Sequence, residues 1–176
     1  KMFGKDVFDI IEATPERLRE VDGIGPKRAD KITAGWADQK VIREIMVFLH
    51  SHGVGTARAV RIFKTYGVDS VQVMSENPYR LARDIRGIGF RTADLIAERL
   101  GIEKTAMIRL RAGISYALTE AAGNGHCGLP REELIPLAIK LLEVPDDLIH
   151  TAIDLEMSEG TVTADTVGDL PCVFLS

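Results

Sequence analysis

The sequence predicts a mainly α-helical chain. A tandem helix-hairpin-helix array covers residues 1–104, and a small winged-helix-like α+β subdomain covers 105–176. Three observations carry this. A Gly-x-Gly pair recurs between helix-forming stretches, at Gly23-Ile24-Gly25, Gly53-Val54-Gly55 and Gly87-Ile88-Gly89. After the second glycine, a small residue stands four positions on (Ala29, Ala59, Ala93), and an isoleucine follows three further (Ile32, Ile62, Ile96). Charge also changes sign along the chain. Residues 1–104 hold 18 Lys+Arg against 15 Asp+Glu, and 105–176 hold 4 against 11, within a net charge of −4.

The first elements belong to a longer repeat. "KMFGKDVFDIIEATPERL" (1–18) aligns without gaps on "KTYGVDSVQVMSENPYRL" (64–81), matching Gly4 with Gly67, Asp6 with Asp69, Pro15 with Pro78 and Leu18 with Leu81. Internal repeats fix architecture before any other signal does. The chain enters this repeat in its middle and reads as part of a longer protein. Thr14-Pro15 and Asn77-Pro78 are helix starts, a capping side chain ahead of a proline at the first helical position. Each glycine inside a helix costs roughly 1 kcal/mol against alanine, so a Gly-x-Gly pair marks a break. Val41–His50 reads as an apolar helix leading into the second pair, and Gly67 and Gly101 read as helix C-caps. Trp36, after the first hairpin, reads as a packing anchor, with base stacking as the alternative.

The second part reads as a helix over 105–124 with Ile108, Leu110, Ile114 and Leu118 facing inward. "GHCGLPREEL" gives a short extended stretch and a new helix start at Pro130. Helices follow at about 131–143 and 146–159. "GTVTAD" and "LPCVFLS" alternate like two short strands joined by a turn.

The Gly-x-Gly loops suggest a chemistry. The first glycine accepts the positive φ that ends a helix. The apolar middle residue can plug the gap between two helices. The second glycine leaves the backbone bare where the next helix begins, offering unpaired N–H groups and the positive end of a dipole. That is an anion site. Lys27 and Arg28, Arg58 and Arg61, and Arg91 supply charge, while Thr56 and Thr92 supply hydroxyls. The candidate DNA-backbone contacts are therefore Gly23, Gly25, Lys27, Arg28, Gly53, Gly55, Thr56, Arg58, Arg61, Gly87, Gly89, Arg91 and Thr92. Such contacts hold a backbone without reading bases. Phe90 stands where a cap would go and has two readings, a contact between repeats or stacking on a base or ribose.

Other chemistries find no support. Hydrophobic content of 45% with 27% charged residues is ordinary for a globular protein. No apolar run approaches the roughly 20 residues of a membrane span. Cys127 and Cys172 lack metal spacing and read as buried free thiols of a reducing cytosol. His126 beside Cys127 has no partner at ligand spacing, and His50 and His52 read as solvated or capping. No Gly-x-x-x-x-Gly-Lys-Ser/Thr loop and no Ser-His-Asp or Cys-His arrangement is present. The chain is expected to hold no catalytic residue, metal or cofactor.

"GIGPKRADKI", "NPYRLARDIRGIGFRTADLIAERLGI", "RLRAGISYALTEAAGNGHCGLPREEL" and "LLEVPDDLIHTAIDLEMSEG" resemble the region ahead of the motor in RecD-like DNA helicases. The similarity is to the RecD/TraA type with a long N-terminus, also called exodeoxyribonuclease V alpha chain-like, and covers nearly the whole chain. It implies that the full protein is an ATP-dependent 5′-to-3′ helicase of superfamily 1 in DNA repair or recombination. It also implies that the motor, with its ATP and magnesium, lies beyond Ser176. The winged-helix-like segment would link hairpins to motor.

The expected function is thus a non-catalytic, sequence-independent DNA-binding and scaffolding module, cytoplasmic, monomeric and away from membranes. The rival is a protein-interaction scaffold whose hairpins are only turns, which the acidic second part favours. A DNA glycosylase would need a catalytic Asp about twenty residues past its hairpin. "GIEKTAMIRLR" stands there without one.

Overall fold

The computed structural model describes residues 2–176. The chain divides into two compact units, one ending at Val71 and the other spanning Gln72–Ser176. No described helix is long and apolar enough to cross a membrane.

The first unit contains α1 (Val7–Ala13), a 3₁₀ turn (Pro15–Glu20), α2 (Pro26–Ser51) and α3 (Thr56–Tyr66). The helix expected over Val41–His50 is the end of α2, which runs unbroken for 26 residues. Nothing between its ends is a strong enough breaker. Gly35 is the lone glycine of that stretch, and good helix formers (Ala34, Ala37, Gln39, Lys40) surround it. One face near the start of α2 packs at Ala29 with Ile10, Ile11 and Leu18, flanked by Phe3, Val7, Ile24 and Trp36. Near its end Ile45 and Leu49 are buried, as are Val54, Ala59 and Ile62 of the following hairpin. Between Ala29 and Ile45 no residue of α2 is buried.

The second unit takes in α4 (Ser70–Glu76), within which the division falls, α5 (Arg80–Asp84), α6 (Phe90–Arg99) and α7 (Met107–Gly123). Next come β1 (Leu129–Pro130), α8 (Arg131–Leu142), α9 (Asp146–Ser158), β2 (Val162–Val167) and β3 (Leu170–Leu175). The sheet is antiparallel in the order β1-β3-β2, pairing Leu129 with Val173 and Val162 with Leu175. Three helices, a short first strand and a terminal β-hairpin make the winged-helix-like arrangement. Leu110, Ile114, Leu134, Leu142, Ile149 and Ile153 are fully buried and form its core. A Cβ on Gly113 would stand 2.6 Å from Cδ2 of Leu142, so glycine there makes room for the Leu142 side chain against α7.

The division at Val71 differs from the expected one at 104. Residues 72–104, with the third hairpin, form one compact unit with the winged-helix-like part. The cause is a buried polar and aromatic joint. Arg109 of α7, 7% exposed, grips Asp94 of α6 with two bonds, Nε to Oδ1 at 2.8 Å and Nη2 to Oδ2 at 3.1 Å. Its Nη1 donates to the carbonyls of Lys104 (2.9 Å) and Leu142 (2.8 Å). The Tyr79 hydroxyl donates to Asp94 at 2.6 Å. Phe90 stacks between Tyr79 and Tyr116, with centroids 5.7 and 5.3 Å apart. The change of charge near 104 marks composition, whereas packing follows these contacts.

Candidate nucleic-acid interface

The three Gly-x-Gly pairs build the same loop. Gly23, Gly53 and Gly87 stand at φ of +84°, +74° and +89°, a conformation that side chains with a Cβ rarely adopt. The middle residue turns inward. Ile24 is half-buried against the first core cluster, and Val54 and Ile88 are each 2% exposed. Its N–H closes the turn onto the preceding helix or turn, to Val21 (3.0 Å), Leu49 (2.9 Å) and Ile85 (3.1 Å).

The second glycine behaves differently. Gly25, Gly55 and Gly89 are the N-cap residues of α2, α3 and α6, at φ of −82°, −67° and −92°. Any residue adopts these angles. A Cβ on any of the three would meet no atom within 4 Å. Neither backbone conformation nor internal packing asks for glycine there. No side chain caps the three helices. The helical bonding that reaches back to each N-cap carbonyl comes from Ala29, Ala59 and Ala93, at 2.9–3.1 Å. The amides ahead of Ala59 and Ala93 are the orphan donors of a helix start, whereas in α2 the Arg28 amide already donates to the Gly25 carbonyl at 3.1 Å. Pro26 has no N–H and the Arg28 amide is taken, so α2 offers two donors fewer than α3 or α6.

The basic residues separate the loops. Lys27, Arg58 and Arg61 are exposed and make no ion pair with any described residue. Thr56 is exposed at the first position of α3. Arg28 is exposed too, but its Nη1 donates to the Gly23 carbonyl at 2.7 Å, so it also braces the hairpin. Arg91 is exposed and its charge acts on Tyr116, and Thr92 is half-buried. Phe90 is 3% exposed, which settles its reading as packing and removes base stacking. His52 caps α2 and His50 braces the hairpin loop. Their Nδ1 atoms lie 3.0 Å from the Val54 carbonyl and 2.8 Å from the Phe48 carbonyl, so those nitrogens carry the hydrogen. Cys172 is buried as expected, but Cys127 is exposed, because the turn carrying it lies outside the core. No group of metal-ligating side chains occurs among the described residues.

The winged-helix-like part presents the opposite electrostatics. The exposed side chains of α9 are Asp146, Asp147, His150, Thr151, Asp154, Leu155 and Ser158, and the helix contains no Lys or Arg. Arg131 of α8 reaches Asp154 at 2.8 Å.

The joint behind hairpin three escaped the sequence reading. Tyr79 and Asp94 lie inside the "NPYRL…GIGF…AD" block, but only folding places them on one arginine. Burial, then the neighbouring Asp94, pushes the Tyr79 hydroxyl well above its usual range, so it stays a neutral donor. Burial alone would ease the proton off Arg109, and the Asp94 carboxylate more than reverses this.

Residues 38–128 match the family described as "ATP-dependent RecD2 DNA helicase HHH domain", and residues 3–38 match a "SAM-like Helix-hairpin-helix tandem". A relative, the ATP-dependent RecD2 DNA helicase of Deinococcus radiodurans, is 28% identical over 166 residues, covering 94% of this chain and 23% of its own length. The chain therefore spans about a quarter of that relative. With the first match extending over half of its residues and the hairpin geometry repeated at all three glycine pairs, the chain belongs to the RecD2 DNA helicase helix-hairpin-helix family.

Proposed function

We propose that this chain is the non-catalytic DNA-engaging and scaffolding module of an ATP-dependent 5′-to-3′ DNA helicase that serves DNA repair or recombination in the cytoplasm. It holds the sugar-phosphate backbone through hairpins one and two, and the winged-helix-like part connects it to the motor. ATP and magnesium act at that motor, and the module works as a monomer. One observation carries the reading. The second glycine of each loop is required by nothing inside the protein, yet stands bare at an uncapped helix start. A phosphate oxygen is the ligand such a site admits.

Binding should be sequence-independent and weak, with Kd roughly 10⁻⁴–10⁻⁶ M at physiological salt. Fluorescence anisotropy with labelled DNA across a salt series tests it. Gly55→Ser keeps the fold, since serine is a better N-cap at these angles. Its side chain fills the approach and competes for the same N–H groups, so affinity should fall. If Gly55→Ser and Lys27→Ala both bind as tightly as the parent with unchanged salt slopes, the hairpins are turns of a protein scaffold. The acidic outer face of α9 gives that second reading its support, and it confines DNA contact to the hairpins.

A further inference from the structure

We infer that the stacked pair Phe8–Trp36 is a docking platform for an unpaired nucleobase, giving the first unit a grip on single-stranded DNA beyond its phosphate loops. The inference rests on the backbone-binding reading and adds the class of strand that is held.

The two rings lie 4.7 Å apart at 21°, a face-to-face stack on the surface of the first unit. Phe8 is 52% exposed. It stands about 200° round α1 from the buried Ile10, and leans on Trp36 at the edge of the core. Trp36 has its body against that core and its ring under Phe8. Arg43, one and a half to two turns further along α2, places its guanidinium 5.5 Å from the centroid of the Trp36 ring. The indole N–H donates to Glu12 at 3.0 Å, and Lys40 pairs with the same carboxylate at 3.4 Å. Trp36, Lys40 and Arg43 share one side of α2, at spacings of four and seven residues.

Each feature suits a base rather than a protein core. The indole's polar edge is already satisfied, which fixes its orientation and leaves the stack's outer face apolar. Lys40 offsets Glu12 within the cluster, and the Arg43 guanidinium stands over the Trp36 ring as a further cation. A rigid exposed aromatic face beside cations is how single strands are held without sequence readout, because every base has a π-face. The stretch of α2 that carries Trp36 has no fully buried residue between Ala29 and Ile45, and Phe8 on α1 leaves half of its surface to solvent. Duplex DNA keeps its bases stacked on one another and cannot use the platform.

The chain has a single tryptophan, so its emission reports on this stack alone. The intact chain is titrated with an oligothymidylate, with an abasic oligomer of equal phosphate number, and with blunt duplex. The expected result is saturable quenching of Trp36 emission by oligothymidylate only, with affinity roughly 5- to 150-fold above the abasic oligomer. Phe8→Leu should reduce oligothymidylate binding to the abasic level and leave abasic binding unchanged, and Phe8→Tyr should retain the difference. Equal affinity for both oligomers without quenching overturns the platform and leaves the phosphate loops standing. Failure to bind any of the three overturns the platform and the backbone-binding reading together.

Discussion

Hairpins two and three share a loop geometry and differ in one neighbour. The residue after the second glycine is Thr56 in one and Phe90 in the other. Thr56 is exposed, and Arg58 and Arg61 on the same helix are exposed and make no ion pair among the described residues. Phe90 is buried between two tyrosines, and its helix is clamped through Asp94 to Arg109. Burial of Phe90 ties the start of α6 into the core, whereas the start of α3 is tied by no such side chain. The motif is thus a structural joint at hairpin three, while at hairpin two the helix start is left exposed.

Breaking the joint should give the largest effects. Phe90→Ala should cost about 3–5 kcal/mol, as for other buried phenylalanines. Arg109→Met should cost a similar amount, about 3–5 kcal/mol, because it strands the Asp94 carboxylate and two carbonyls. Denaturant unfolding followed on the second unit would register both, while Trp36 emission, which reports the first unit, should hardly move.

Tyr79→Phe is the milder cut, removing one hydrogen bond to a charged group worth about 1.5–3 kcal/mol. It also has a pH signature. The Tyr79 proton is held more tightly in the folded state than in the unfolded one. Its contribution is thus complete below the unfolded value near 10 and is lost as pH rises above it, by about 1.4 kcal/mol per pH unit. Alkaline melts of parent and variant should converge as pH climbs above that point. Parallel curves would show that the hydroxyl is not buried against Asp94.

Serine at the second glycine sharpens the contrast on the binding side. Gly55→Ser should weaken DNA binding about tenfold, the worth of one charge-assisted hydrogen bond, and Gly89→Ser should leave it unchanged. Equal losses would mean that hairpin three also holds a phosphate despite Phe90. The smallest effect belongs to single charges. Lys27→Ala or Arg58→Ala should flatten the plot of log K against log salt by about 0.7–0.9, with Arg91→Ala below either. Lys27 is a cleaner probe than Arg28, whose removal also takes a bond from the Gly23 carbonyl.

The hairpins were legible because their signal is local. A positive φ at Gly23, Gly53 and Gly87 is a demand on one residue, and glycine meets it wherever it stands. Ala29, Ala59 and Ala93 are buried as their spacing implies. The order of helices and strands after residue 105 was also readable, since periodicity and turn residues act over a few positions. The repeat misled at Ile32, which is 37% exposed although its counterparts Ile62 and Ile96 are buried. Sequence register assigns a face but cannot say whether anything covers it.

What the sequence determined by itself was the number, place and backbone form of the hairpins, together with the family. The tertiary structure alone decided which hairpin stays open and where the compact units divide. It also decided that Phe8 and Trp36 meet. Tyr79, Asp94 and Arg109 are spaced 15 residues apart in turn, and Phe8 and Trp36 are 28 apart. Contacts over such separations follow from how helices pack, through buried area and satisfied polar groups, and no local preference encodes that.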